Sequence, residues 1–179
     1  MFRTVDNDVM VLAITHFARL SLDELCIAFG CRKSFRYIVV HEIDSSLEPE
    51  RCQALGFFHA FTGCDQTSAF SGRGKSTARS TWMTYKEVTA AFRRLGEHPT
   101  EEDVRSTTPI IERLVILMHD RTSTTQNLNH ARKALFTQKG RSLENIPPTS
   151  AALLQHTKRV VYQARYCWGP CPVLPSPSK

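Results

Sequence analysis

The sequence predicts an α/β fold. Three observations lead there. Residues 34–43 (SFRYIVVHEI) are dense in β-branched and aromatic side chains, as strands are. An unbroken apolar run, VMVLAI, fills 9–14. From residue 47 onward, apolar residues recur at helical spacing in one segment after another. The chain has 179 residues, 41% of them hydrophobic and 22% charged, which is enough for one packed domain with an appendage and excludes a wholly disordered chain.

Taken in order, VMVLAI suits a short buried strand or the first turn of a buried helix, and the stretch after it, THFARLSLDELCIAF, is compatible with helix. The strand-like 34–43 follows. Asp44-Ser45-Ser46 then reads as a helix cap, with Pro49 in the first turn and Leu55, Phe58 and Phe61 at helical spacing up to a stop at Gly63. Beyond a glycine-punctuated turn, helices are expected over 76–83, 84–96, 101–120, 128–139 and 149–166. Four prolines among the last ten residues predict a disordered tail.

Charge is distributed unevenly. The net +6 divides into 12 basic and 11 acidic residues over 1–98, and 11 basic and 6 acidic over 99–179. Residues 71–94 hold six basic side chains against Glu87 alone, so the rest of the first part is net acidic. This pattern permits a polyanionic partner. The amino-terminal apolar run is interrupted by Asp6 and Asp8, which argues against a secretory signal or membrane span, and six cysteines without framework spacing read as reduced thiols. An intracellular protein with no membrane partner is expected. Cys167, Cys171 and His156 lack the paired spacing of a zinc site, and the seven histidines never pair at ligand spacing.

Three segments could carry chemistry. Asp6-Asn7-Asp8 abuts the apolar run; in extended backbone its two carboxylates would face one way and suit a hard cation. A third carboxylate, Asp65, sits among Phe57, Phe58, Phe61 and Phe70, where an unpaired charge is costly. Its alternative is a turn-capping aspartate. Finally, Gly72-Arg73-Gly74-Lys75-Ser76-Thr77-Ala78 offers glycines that let backbone amides approach a phosphate, with Arg73, Lys75 and Arg79 supplying charge. A nucleotide-binding P-loop is the rival reading. It lacks its opening glycine, replaced by Ala69, and a preceding strand, so no small-molecule nucleotide is expected.

In this order the three segments resemble the carboxy-terminal half of the flap-endonuclease-like branch of the PIN-domain nucleases, over about residues 3–82. Thr4-Val5-Asp6-Asn7-Asp8 answers to that family's Thr/Ser-x-Asp-x-Asp, Gly63-Cys64-Asp65 to its Gly-[Cys/Ser]-Asp, and 72–78 to its Gly-x-Gly-x-Lys-x-Ala turn, with the lysine one place early. HAFTGCDQTSAFSGRGKSTARSTW is also similar to a segment of uncharacterised animal proteins found near mobile-element sequence, as is the basic stretch KALFTQKGRSLENIPPTSAALLQHTKRVVYQARYCWG.

The resemblance implies part of a three-layer PIN-like domain with a helix–two-turn–helix element over 1–98, a mostly helical basic extension over 99–168 and a tail over 169–179. It implies a structure-specific nuclease by ancestry, with Asp6, Asp8 and Asp65 holding Mg²⁺ or Mn²⁺ around a scissile phosphodiester. Gly72, Arg73, Gly74, Lys75 and Arg79 would grip the backbone of nucleic acid, DNA rather than RNA, and the location would be nuclear. The family adds further carboxylates upstream of its Asp-x-Asp, whereas this chain begins five residues before Asp6. The expectation is therefore a weakly held ion at an incomplete, degenerate site. The alternative is a non-catalytic nucleic-acid-binding or protein-interaction module. The helix at 155–165 bears Lys158, Arg159 and Arg165 on a face that is either solvated or a further nucleic-acid contact.

Overall fold

A computed structural model describes residues 2–138, 142 and 145–169. These fold as an α/β structure with a three-stranded sheet and eight α-helices among the described residues. Strand β1 (Phe2–Thr4) leads into helix α1 (Asn7–His16), which returns the chain to β2 (Cys26–Phe29), parallel to β1. Strand β3 (Arg36–Val39) then pairs antiparallel with β2, giving the order β1-β2-β3.

The apolar run at 9–14 is thus helical. Asp6 decides this by capping α1: its carboxylate accepts from the Asp8 N–H at 2.8 Å, satisfying one of the amides a helix start leaves unpaired. Strand β2 was hidden within a stretch that read as helix. The expected strand at 34–43 is cut to four residues because the chain turns helical at Val40, forming α2 (Val40–Ser46). Helix α3 (Pro49–Phe61) follows, with Pro49 pre-set for the first turn.

Between α3 and α4 (Lys75–Thr84) lie two tight turns, Cys64 to Thr67 and Phe70 to Arg73, each closed by an antiparallel bridge. Helices α5 (Val88–Gly96), α6 (Glu101–His119), α7 (Leu128–Phe136) and α8 (Ser150–Tyr162) complete the chain, and a π-helical turn (Gln163–Cys167) extends α8. The starts of α6, α7 and α8 are capped by Thr100, Asn127 and Thr149; Thr100 and Asp103 make a reciprocal capping box. The expected disordered tail, apart from Gly169, falls outside the described residues.

Two cores hold these elements. The smaller joins Ala13, Ile14 and Phe17 of α1 and its following turn to Ile27, Val40 and Cys52, with Phe29 and Ile38 against it. The larger is built around α3, whose Phe57, Phe58 and Phe61 meet Trp82 and Phe92; Phe58 and Trp82 lie 4.6 Å apart, ring centre to ring centre. It also takes in Leu114, Leu128, Leu153 and Val160, so residues on both sides of position 98 share one interior. A helix apolar on most sides, as α3 is, belongs at the centre of such an assembly.

Strand alternation puts Ile27, Phe29 and Ile38 on the sheet face that packs against the helices. Arg3, Cys26, Ala28, Tyr37 and Val39 share the opposite face, and none of them belongs to either core. Among the described residues the core that packs on the sheet lies on the face of Ile27, Phe29 and Ile38.

Candidate functional site

The predicted site residues gather around the junction where α1 and α4 begin and α3 ends, but their roles differ from those expected. Asp6 is spent on its cap. Asp8, one turn into α1, accepts a hydrogen bond from His59 Nε2 at 2.7 Å, and both side chains are largely buried. That hydrogen bond ties α1 to α3. Asp65 stands with Gln66 at the exposed tip of the first turn, where it makes no hydrogen bond or ion pair among the described residues. Among those residues no three His, Cys, Asp or Glu side chains form a group able to hold a metal ion. The carboxylates as placed do not fit a shared Mg²⁺ or Mn²⁺ centre: two are engaged within α1 and its contact to α3, and the third sits on a turn tip.

Lys75 is the second departure. Its ammonium donates to the carbonyls of His59 (2.9 Å) and Gly63 and to Thr62 Oγ1 (3.0 Å), which uses all three protons on the end of α3. A helix end leaves its last carbonyls unpaired and carries partial negative charge, so a lysine there satisfies both. Burial lowers the Lys75 pKa from its ordinary 10.5, with the charges of Cys64 and Asp8 opposing that shift. Lys75 is thus engaged as a cap on the end of α3.

The same helix end is finished by two further side chains that sequence reasoning did not assign. Thr67 Oγ1 donates to the Ala60 carbonyl, and His156 Nε2 on α8 donates to that of Phe61 at 2.9 Å. Burial holds the His156 ring below its ordinary 6.5, outweighing the hydrogen bond to Phe61, so the ring is neutral at pH 7. The signal for Thr67 was local, a polar residue closing a four-residue turn. No signal near 156 pointed to residue 61.

Glycines make the two turns possible. Gly63 has φ of +102°, and a Cβ there would come within 2.7 Å of the Ala69 Cβ; Gly72, at φ +64°, turns the second loop. Arg73 folds back, donating to the Gly72 carbonyl at 2.9 Å, and its Nε is buried without a hydrogen-bond partner among the described residues.

At the other end of the segment the geometry is open. Gly74 caps α4 with no side-chain hydrogen bond, and the first turn of α4 holds no acidic residue. A Cβ at Gly74 would meet nothing within 4 Å. The amides of Lys75, Ser76 and Thr77 are the donors that a helix start leaves unpaired. One turn further on, the exposed Arg79 flanks a cavity of about 240 Å³ between α2, α3 and α4, lined by Leu47, Arg51, Phe58, Trp82 and Met83. The chain matches no family model, no curated protein and no solved structure.

Proposed function

We propose that this chain is a non-catalytic module that binds the phosphate backbone of nucleic acid, duplex DNA first, through the second turn and the start of α4. It descends, on this reading, from a PIN-like nuclease. The observation that carries the proposal is the uncapped, acid-free start of α4. There the open Gly74 lets a phosphate approach the amides of Ser76 and Thr77, with Arg79 one turn away. Helix starts of this kind attract anions through their amides and dipole. Contacts of this type position a backbone without reading its sequence. The succession of helix, two tight turns and helix supports the descent, as does the placement of Asp6 directly after a parallel strand.

The non-catalytic reading is supported by the carboxylates, which form no group able to hold an ion among the described residues. The nuclease reading returns if purified chain cleaves duplex or flapped DNA in Mg²⁺ or Mn²⁺ and Asp8→Asn abolishes that cleavage.

The binding reading is tested with Gly74→Asp. Gly74 has φ −74° and ψ 171°, the extended geometry in which aspartate is a strong cap. The variant keeps or raises the melting temperature while its carboxylate takes the free amides and repels phosphate. Duplex affinity measured by fluorescence anisotropy at low salt falls about tenfold or more. Unchanged affinity in the folded variant would sink the proposal.

A further inference from the structure

The uncovered face of the sheet carries a second site. Tyr37 on β3 is 62% exposed and Phe35, just before it, 38% exposed; their rings meet edge to face at 5.3 Å. The Arg3 guanidinium reaches across from β1 to stand 5.6 Å from the Phe35 ring centre. Between them lies Ala28 of β2, paired with Arg3 on one side and Tyr37 on the other, whose small side chain keeps the middle of the platform low. Arg32 and Lys33 project from the exposed turn leading to Phe35, whereas Arg36 stands over the Phe29 ring on the opposite face of the sheet. Neither 2–5 nor 25–41 contains a single Asp or Glu, although residues 1–98 outside the 71–94 segment are net acidic overall.

Two neighbouring exposed aromatic rings on a sheet, flanked by the basic side chains of Arg3, Arg32 and Lys33 from segments that hold no acid, suit one occupant above others. Unpaired bases stack on such rings whatever their sequence, and their phosphates meet the cations. A stacked duplex offers no base faces to this surface. A protein partner would have to be strongly acidic as well as apolar. We infer that the outer sheet face, through Phe35, Tyr37, Arg3, Arg32 and Lys33, is a docking site for single-stranded nucleic acid. It is separate from the α4 start and does not depend on it.

The test is an anisotropy titration of the full chain with a fluorescein-labelled thymidine oligonucleotide of about twelve nucleotides, a length within the range such surfaces accept. Wild-type chain binds it, and Phe35→Ala/Tyr37→Ala weakens binding about tenfold or more, in line with the loss of base stacking. Tyr37→Trp keeps affinity, because the stacking surface remains. Gly74→Asp is titrated with the same oligonucleotide: a loss confined to the aromatic variant belongs to this face and a loss confined to Gly74→Asp belongs to the start of α4, so failure at one and failure at the other are distinguishable.

Should the double alanine variant not fold, Arg3→Gln/Lys33→Gln alters only exposed side chains. Its plot of log affinity against log salt becomes shallower by about 0.7 for each charge removed. Crosslinking by a 5-iodouracil oligonucleotide to Tyr37 or Phe35 is a direct readout. Two results overturn the inference. One is single-strand affinity indifferent to these substitutions. The other is a wild-type chain that sediments as a dimer, becomes monomeric with Tyr37→Glu and binds no oligonucleotide; the face would then belong to a second copy.

Discussion

Two side chains show how function-like motifs are absorbed by structure. Lys75 sits in the motif as a cation beside glycines, the pattern of a phosphate clamp, yet its acceptors are all on the end of α3, 12 to 16 positions away in sequence. No local pattern reports acceptors that only the tertiary fold supplies. Lys75→Met leaves those carbonyls without their donor, and a stability loss of about 1–2 kcal/mol is expected in urea unfolding, with duplex affinity of the folded fraction retained. A lost affinity with unchanged stability would restore the clamp. His156 makes a prediction in pH. Its folded pKa is depressed, so below 6.5 the unfolded chain takes up a proton that the native ring does not. The stability its neutral ring contributes is complete above that value and declines as pH falls through it, levelling below the folded pKa. His156→Gln flattens this part of the profile; denaturant midpoints measured between about pH 5 and 8 read the difference.

The helices differ in how openly they announce themselves. Helices α6, α7 and α8 were legible because Thr100, Asn127 and Thr149 mark their starts and apolar residues keep the helical period behind them. Pro109 did not hide α6, although it removes a hydrogen bond from the interior of that helix. The sheet was less legible. Its strands are three or four residues long, shorter than the window over which alternation can be told from helical period, and CIAF is apolar at every position. The Asp6-Asn7-Asp8 pair was found in sequence, but its meaning turned on whether the backbone there was extended or helical. Extended, the carboxylates converge; helical, the first caps the amide of the second. The glycine turns at 63 and 72 were read correctly as breaks, since only a residue free of a Cβ accepts those dihedral angles without strain.

For the molecule as a whole, the larger core sets the limits. It draws Ala54 to Leu95 and Val104 to Ala164 into one cluster, so the helices after position 98 are structural partners of α3 rather than an attachment to it. A chain ending at residue 148 loses Leu153, Val160 and Ala164 from that core together with the His156 hydrogen bond. Burying a large aliphatic side chain is worth about 1.5–3 kcal/mol, against a typical net stability of about 5–15 kcal/mol. The shortened chain is expected to lose its cooperative thermal transition, read by circular dichroism. A sharp transition at the full-length temperature would show that α8 is dispensable. No described helix is long and apolar enough to cross a membrane. Of the five described cysteines, all free, Cys52 is buried and its thiol pushed up to about 11 by that burial, which makes it a poor nucleophile near neutrality.

The bond between His156 and Phe61 spans 95 positions. During synthesis the end of α3 and both turns are made long before the ring that completes them. Until α8 emerges, the Phe61 carbonyl must find water, and the aromatic side chains beneath it lack their last cover. The segment most like a functional motif is thus among the earlier parts to be translated and among the last to reach its final form.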